Sequence, residues 1–212
     1  MKISLTDAGK RFNRDWIFRH LSYEFHSGTS YAITGPNGSG KSTLLQVLSG
    51  SMQLNEGNIQ WSEVNACLQD RQGQWPMEKN FEKVSICAPY LELIEEMTLA
   101  EFLEFHHHFK PFISSVTSLQ IISMLGLEEA ANKQIRFYSS GMKQRVKLAQ
   151  AVFSDVPVVL LDEPCTNFDA AGIELYLSLI NDYCKDRLVI VSSNDEVEYG
   201  FCEKRINVSN YK

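Results

Sequence analysis

The stretch Gly35-Pro36-Asn37-Gly38-Ser39-Gly40-Lys41-Ser42-Thr43 fits the P-loop pattern G-x-x-x-x-G-K-[ST], a cradle for the phosphates of a nucleoside triphosphate. Triphosphate oxygens bring several negative charges into a small space. A glycine-rich turn lets successive backbone N–H groups point inward at them, because Gly38 and Gly40 carry no Cβ to obstruct the approach. Lys41 is placed to reach the β- and γ-phosphates, and the Ser42 hydroxyl to take a position on Mg²⁺. Upstream, Tyr31-Ala32-Ile33-Thr34 is β-branched and apolar and reads as a buried strand. Downstream, Thr43 to Ser49 reads as a helix with Gly50 as its stop. Strand, loop and helix N-terminus is the order that phosphate binding needs, since the helix dipole adds to the anion site.

A second run answers the first. Val158-Val159-Leu160-Leu161 is a short apolar strand that ends in Asp162-Glu163-Pro164. Carboxylates at the C-terminal end of a buried strand sit where α/β sheets bind ligands. Asp162 suits a contact with Mg²⁺, and Glu163 then faces the γ-phosphate, where a carboxylate orients or deprotonates water.

Around these motifs the chain alternates strands and helices. Leu21 to Phe25 and Thr29 to Thr34 flank the turn Ser27-Gly28, and the first 35 residues as a whole read as short strands. Ile59-Gln60-Trp61, Val84 to Ala88 and Leu188 to Val191 read as further strands, and Ser62 to Lys83 as strands and loop. Helices are expected at Ser140 to Phe153 and Asp169 to Cys184. From Thr98 to about Leu127 the pattern is helical. Thr98 and Glu101 have capping-box spacing, Pro111 ends the first helix or sits just beyond it, and a second, Thr117 to Leu125, stops at Gly126. Leu99, Phe102, Leu103, His106 and Phe109 fall at helical spacing on one face.

The fold class expected is α/β, a mostly parallel sheet with helices on both faces. An N-terminal antiparallel β part precedes it and a helical subdomain at about 92–136 is inserted into it. The core is then 1–91 and 137–212, within one domain of 212 residues.

Composition is ordinary for a globular protein, with 44% hydrophobic and 22% charged residues. A net charge of −6 gives no sign of a basic nucleic-acid surface, so no nucleic-acid partner is expected. No apolar run approaches the roughly 18 residues needed to span a bilayer, and the N-terminus has no signal-peptide core. The expectation is a cytoplasmic protein that acts on a membrane only through a partner. The five cysteines, Cys67, Cys87, Cys165, Cys184 and Cys202, show neither a C-x-x-C pair nor metal-ligand spacing, and read mostly as small buried hydrophobes. His106-His107-His108 point in different directions on a helix and do not share one ion. The aromatic segment Phe102 to Phe112 reads as subdomain core or as the surface that grips a membrane partner.

Between the P-loop and the Asp162-Glu163 strand, residues Tyr138-Ser139-Ser140-Gly141-Met142 bring in a resemblance. With these motifs in this order, nearly the whole chain resembles the ATP-binding-cassette (ABC) ATPases, and their signature has the form L-S-G-G-Q. Ser139 and Gly141 match it, while Tyr138, Ser140 and Met142 depart from it. The resemblance implies that Ser139 and Gly141 close over ATP held by a second subunit, so that two cassettes, identical or paired, sandwich two ATP molecules. An N-cap with free N–H groups makes physical sense as an anion site there. It further implies that Phe12 stacks on adenine, with Trp16 as the alternative, and that Thr166-Asn167-Phe168-Asp169 is the loop touching the other subunit. Asp169 also suits an N-cap.

Two positions depart from the family. Tyr90-Leu91-Glu92 stands where a Gln usually senses Mg²⁺ and γ-phosphate. Glu92 reaches a metal only if its loop bends inward. Asn194 stands where a His usually acts, and an amide donates a hydrogen bond to phosphate but carries no proton near pH 7. The resemblance points to a single-cassette subunit of the compact bacterial exporter type, hydrolysing ATP slowly and driving separately encoded transmembrane permease subunits from the cytoplasmic face. The alternatives are a soluble ABC ATPase outside transport and a regulatory cassette that binds nucleotide with little hydrolysis.

Overall fold

The computed structural model describes residues 1–62 and 77–212. The chain runs through β1 (Lys2–Phe12), β2 (Asp15–His26), β3 (Ser30–Thr34), α1 (Lys41–Leu48), β4 (Glu56–Ser62) and β5 (Val84–Cys87). The helices α2 (Leu99–Phe109), α3 (Ser118–Met124) and α4 (Ser140–Phe153) follow. It ends with β6 (Val158–Asp162), α5 (Ala170–Tyr183), β7 (Leu188–Ser192), α6 (Glu196–Tyr199) and β8 (Lys204–Asn207). The expectation of strands and loop over Ser62 to Lys83 falls mostly outside the described residues. Its last part, Met77–Glu82, is a 3-10 helix.

Five strands form a wholly parallel sheet in the order β5-β6-β7-β3-β8, and three form an antiparallel sheet in the order β2-β1-β4. Side-chain alternation divides the parallel sheet between two cores. Val159, Leu161, Val189 and Val191 face α4, α5 and the helical segment. Val158, Leu160, Leu188, Ile190, Tyr31 and Ile33 face α1 and the antiparallel sheet. Strands buried on both faces need no polar alternation, which is why Val158–Leu161 and Leu188–Val191 read as continuous apolar runs. The fold class is the expected α/β one, a P-loop core with an antiparallel β part and inserted helices.

Three details correct the sequence reading. The N-terminal strands are long, 11 and 12 residues, rather than short. Their register shifts between Leu5 and Ala8 and again by Lys10, and Asp7 and His20 take positive φ. Such bulges break the period-two pattern that would have announced continuous strands. Secondly, Phe109 does not share the buried face of α2. Leu99, Phe102 and Leu103 are buried, whereas Phe109 is 76% exposed, its ring tilted against that of the exposed Phe105. Thirdly, the sequence reading assigns no strand to β8, where Lys204, Arg205 and Asn207 are exposed and only Ile206 is buried. It is an edge strand held by pairing with β3.

The capping-box expectation at Thr98 holds: its Oγ1 accepts from the Glu101 N–H and the Glu101 carboxylate accepts from the Thr98 N–H. Thr117 and Gln120 repeat the device at α3. The three histidines of α2 take three separate partners. Ser154 Oγ donates to the Gln150 carbonyl and so accepts from His106 Nε2 at 2.9 Å. His107 Nδ1 accepts from the Phe112 N–H, and His108 Nδ1 lies 2.8 Å from the Glu104 carbonyl oxygen. Cys87, Cys184 and Cys202 are buried, with burial pushing their thiols up to about 12, 11 and 12.

Candidate functional site

Because the five sheet strands are parallel, their C-terminal ends share one edge. The order β5-β6-β7-β3 sets four exits in a row there: Tyr90 after β5, Asp162-Glu163 at β6, Asn194 after β7 and the P-loop after β3. Residues spread over more than half the chain are gathered by strand order alone. This edge is where open α/β sheets bind ligands.

The P-loop wraps the N-terminus of α1. Gly40 is the N-cap at φ 105°, with no side-chain cap hydrogen bond, so the first N–H groups of the helix remain available to an anion. A Cβ at Gly40 would lie 2.3 Å from Ile17 Cγ2, and one at Gly35 (φ 141°) would lie 2.7 Å from Ser39 Oγ. Only glycine meets both the backbone conformation and the close approach. Lys41 is buried, and its Nζ donates to the Gly35 carbonyl at 2.9 Å and the Pro36 carbonyl at 3.4 Å. A cleft of about 310 Å³ opens over the loop. Asn37, Gly38, Gly40, Lys41, Ser42 and Thr43 line one side, and Ile17 and Glu163 complete it.

Asp162 ends β6 opposite Ser192 of β7 and is 2% exposed. Its Oδ1 is buried without a hydrogen-bond partner. A buried carboxylate oxygen left unpaired is costly unless a cation or donor arrives. Together with the Ser42 hydroxyl at the cleft, this donor set fits a hard divalent cation such as Mg²⁺. Glu163 leaves the strand at φ 44°, a conformation rare outside glycine. Its N–H donates to the Ser192 carbonyl at 2.9 Å, and its carbonyl accepts from the Thr166 hydroxyl at 2.8 Å. Strand end and turn together aim its side chain over the P-loop cleft.

Ser139 and Gly141 lie elsewhere. Ser139 caps α4, its Oγ accepting from the Met142 N–H at 3.2 Å. A Cβ at Gly141 would stand 3.2 Å from the Asn167 carbonyl oxygen, so signature and Thr166–Asp169 loop touch. Asp169 caps α5 through Gly172 N–H at 2.8 Å and lies 3.9 Å from Arg145. Ser139, Gly141, Asn167 and Asp169 border one recess of about 700 Å³, which shares no lining residue with the P-loop cleft.

The remaining expected residues are placed as follows. Phe12 ends β1 beside the two-residue turn Asn13-Arg14, is 46% exposed, and carries Lys10 Nζ over its ring at 5.4 Å. Trp16 is flanked by the guanidinium groups of Arg11 and Arg19 and borders a different recess with His20 and Tyr211. Tyr90 is half-exposed; its hydroxyl engages the Gln46 side chain on α1, and burial raises its pKa. Glu92 is exposed. Asn194 Nδ2 donates to Asn37 Oδ1 at 2.7 Å.

Two residues at the site were missed by the sequence reading. Ile17 sits on β2 in a part of the strand hidden by bulges, so nothing marked it as a cleft wall. Gln144 of α4 is 3% exposed and its Nε2 donates to the Pro164 carbonyl at 2.8 Å, bracing the turn after Glu163. Its position four residues before the buried Leu148 was the available hint, a polar residue on an apolar stripe.

Fold and edge define a P-loop nucleotide-binding cassette with an inserted helical segment. The ABC transporter family matches over residues 18–166, and the chain belongs to that family of ATP-binding cassette ATPases. It is 29% identical over 194 residues to the uncharacterized ABC transporter ATP-binding protein YybJ of Bacillus subtilis (strain 168), covering 91% of this chain and 85% of that one. It is 26% identical over 217 residues to the cytochrome c biogenesis ATP-binding export protein CcmA of Haemophilus influenzae, covering 100% and 97%. Its fold matches the ATP-binding cassette MJ0796, solved as a dimer in a post-hydrolysis state bound to ADP and Pi. There the TM-score is 0.78 at 23% identity, over 97% of this chain and 93% of that one. Among the described residues no helix is long and apolar enough to cross a membrane.

Proposed function

We propose that this chain is the ATP-hydrolysing subunit of an ABC transporter, pairing with a second cassette around two ATP molecules and driving separately encoded transmembrane subunits. The observation that carries the reading is the separation of the P-loop and the signature stretch into two recesses on one chain. The P-loop cleft holds Lys41, Ser42 and Glu163, whereas Ser139, Gly141 and Asp169 border a different recess. Two copies facing head to tail would bring each recess against the other copy's cleft. The dimeric state of the MJ0796 cassette supports this arrangement. The family match supports a permease partner, and with it a position on the cytoplasmic face of the membrane.

In this reading residues 35–43 wrap the phosphates through backbone N–H groups, and Lys41 leaves the Gly35 and Pro36 carbonyls for the β- and γ-phosphates. Phe12 covers adenine with the ring face not occupied by Lys10. Ser42 and Asp162 hold Mg²⁺, which neutralises developing phosphate charge when bound. Glu163 orients the attacking water and accepts its proton. Asn194 donates to the γ-phosphate as a neutral amide. Tyr90 and Asn194, in place of Gln and His, make turnover slow in the isolated cassette.

The test is steady-state ATPase activity together with light scattering of wild type and Glu163→Gln. The variant should lose at least about a hundredfold in kcat and accumulate as an ATP-bound dimer. Unchanged turnover removes Glu163 from the mechanism, and a monomer at saturating ATP in both proteins sinks the paired-cassette reading. Co-purification with a multi-helix membrane protein tests the permease partner.

A further inference from the structure

We propose that Glu198 is a positioning residue for ATP hydrolysis: its buried carboxylate clasps the turn after Glu163 to the segment that carries Asn194. The inference rests on the roles given above to Glu163 and Asn194.

Glu198 belongs to α6, a four-residue helix capped by Asp195, whose Oδ1 accepts from the Val197 N–H. It is 5% exposed. Its Oε1 accepts from the Cys165 N–H at 2.6 Å, and its carboxylate also takes the Ser193 hydroxyl. Cys165 stands two residues after Glu163, and Ser193 immediately precedes Asn194. One side chain thus joins two segments that leave neighbouring strands, β6 and β7. Ser193 is itself buried, and its Oγ accepts from the Asp195 N–H at 2.9 Å, so its hydroxyl hydrogen is free to be given to Glu198.

The contact differs from an ordinary helix anchor. α6 is tied to α5 through the Glu198 main-chain carbonyl, which accepts from Tyr176 Oη at 2.7 Å. That bond is available whatever side chain stands at 198. An apolar residue would fill the same space without the cost of burying a carboxylate. Burial pushes this carboxyl up, the Ser193 and Cys165 hydrogen bonds pull it down, and the charges of Asp195 and Glu163 push it up again. What the carboxylate adds is the tie between the two loops. Glu163 and Asn194 must both be aligned on one γ-phosphate, and positional errors near 1 Å cost about a hundredfold in rate.

The experiment compares steady-state ATPase kinetics and Tm of the full chain with those of Glu198→Ala, Glu198→Gln and Ser193→Ala. Glu198→Ala is expected to lower kcat at least about tenfold with KM for ATP within about twofold, the pattern of lost alignment rather than lost binding. Glu198→Gln keeps the size and an acceptor for the Cys165 N–H, and should recover kcat to within about threefold of wild type. Ser193→Ala should lower kcat, and the Ser193→Ala/Glu198→Gln double variant should be non-additive in kcat. Unchanged kcat in Glu198→Ala overturns the proposal, as does a parallel loss of kcat, ATP affinity and Tm. If Glu198→Ala does not fold, the double variant decides: additive effects overturn the tie. Glu163→Gln inactive beside a fully active Glu198→Ala sinks this inference alone, whereas an active Glu163→Gln sinks the assignment beneath it.

Discussion

Asn194 Nδ2 donates to Asn37 Oδ1 at 2.7 Å, linking the segment after β7 directly to the P-loop after β3. The two residues are distant in the chain and meet because β7 and β3 are paired neighbours. An amide at this position is a donor of fixed protonation, unlike an imidazole, which titrates near neutrality. Asn194→Ala should lower kcat about tenfold, the rate equivalent of one hydrogen bond of about 1.4 kcal/mol. Asn194→His should give a rate with an inflection near pH 6.5, roughly the ordinary imidazole value. pH–rate profiles of the three proteins check both, and an inflection shared by wild type would refute the argument.

Lys41 holds the loop by donating to the Gly35 and Pro36 carbonyls, and its charge is the one cation lining the P-loop cleft among the described residues. ATP at about 100 times its Kd should stabilise wild type by about 2.7 kcal/mol. Lys41→Met should show no ATP-dependent rise in Tm. An undiminished thermal shift would place nucleotide binding elsewhere.

Gly40 combines φ 105° with an approach that would bring a Cβ 2.3 Å from Ile17 Cγ2. Gly40→Ala should cost about 1–3 kcal/mol in urea denaturation and weaken ATP binding. Because part of the cost is contact and part is backbone, Ile17→Ala should restore only some of it in the double variant. Full restoration would show that the backbone conformation costs nothing.

His106 of α2 is partly buried against Ser154, and burial, with the charges of Lys110 and His107, lowers its pKa to about 4. The unfolded chain takes up this proton near pH 6.5 and the folded chain does not. Stability from this residue is therefore present above pH 6.5 and lost as pH falls toward 4. The loss should be roughly 2 kcal/mol after allowance for solvent screening. Chemical denaturation at stepped pH should show a shallower acid decline in His106→Gln than in wild type. Parallel curves would mean that His106 titrates normally.

The chemistry of the site was legible where it is local. Gly35 to Thr43 needs only its own backbone and the adjacent strand and helix, so the motif carries its structure with it. Asp162-Glu163 at the end of an apolar run was readable for the same reason. Phe109 misled because helical periodicity marks a face without saying how far a neighbour covers it; the core stops at Phe102, Leu103 and the partly buried His106. β1 and β2 were seen only in part because bulges at Asp7 and His20 hide their alternation.

Sequence by itself determined the phosphate cradle, the carboxylate pair, the α/β alternation and the signature that marks the family. Each depends on residue type at fixed short spacing, and short spacing maps directly onto backbone geometry. Tertiary structure decided which residues meet. Parallel pairing in the order β5-β6-β7-β3 set Tyr90, Glu163, Asn194 and Lys41 along one edge. Ile17 reached Gly40 from another sheet, and Glu198 was drawn under two loops at once. Such encounters depend on strand order and on where buried polar groups find partners, and neither is written in any local pattern.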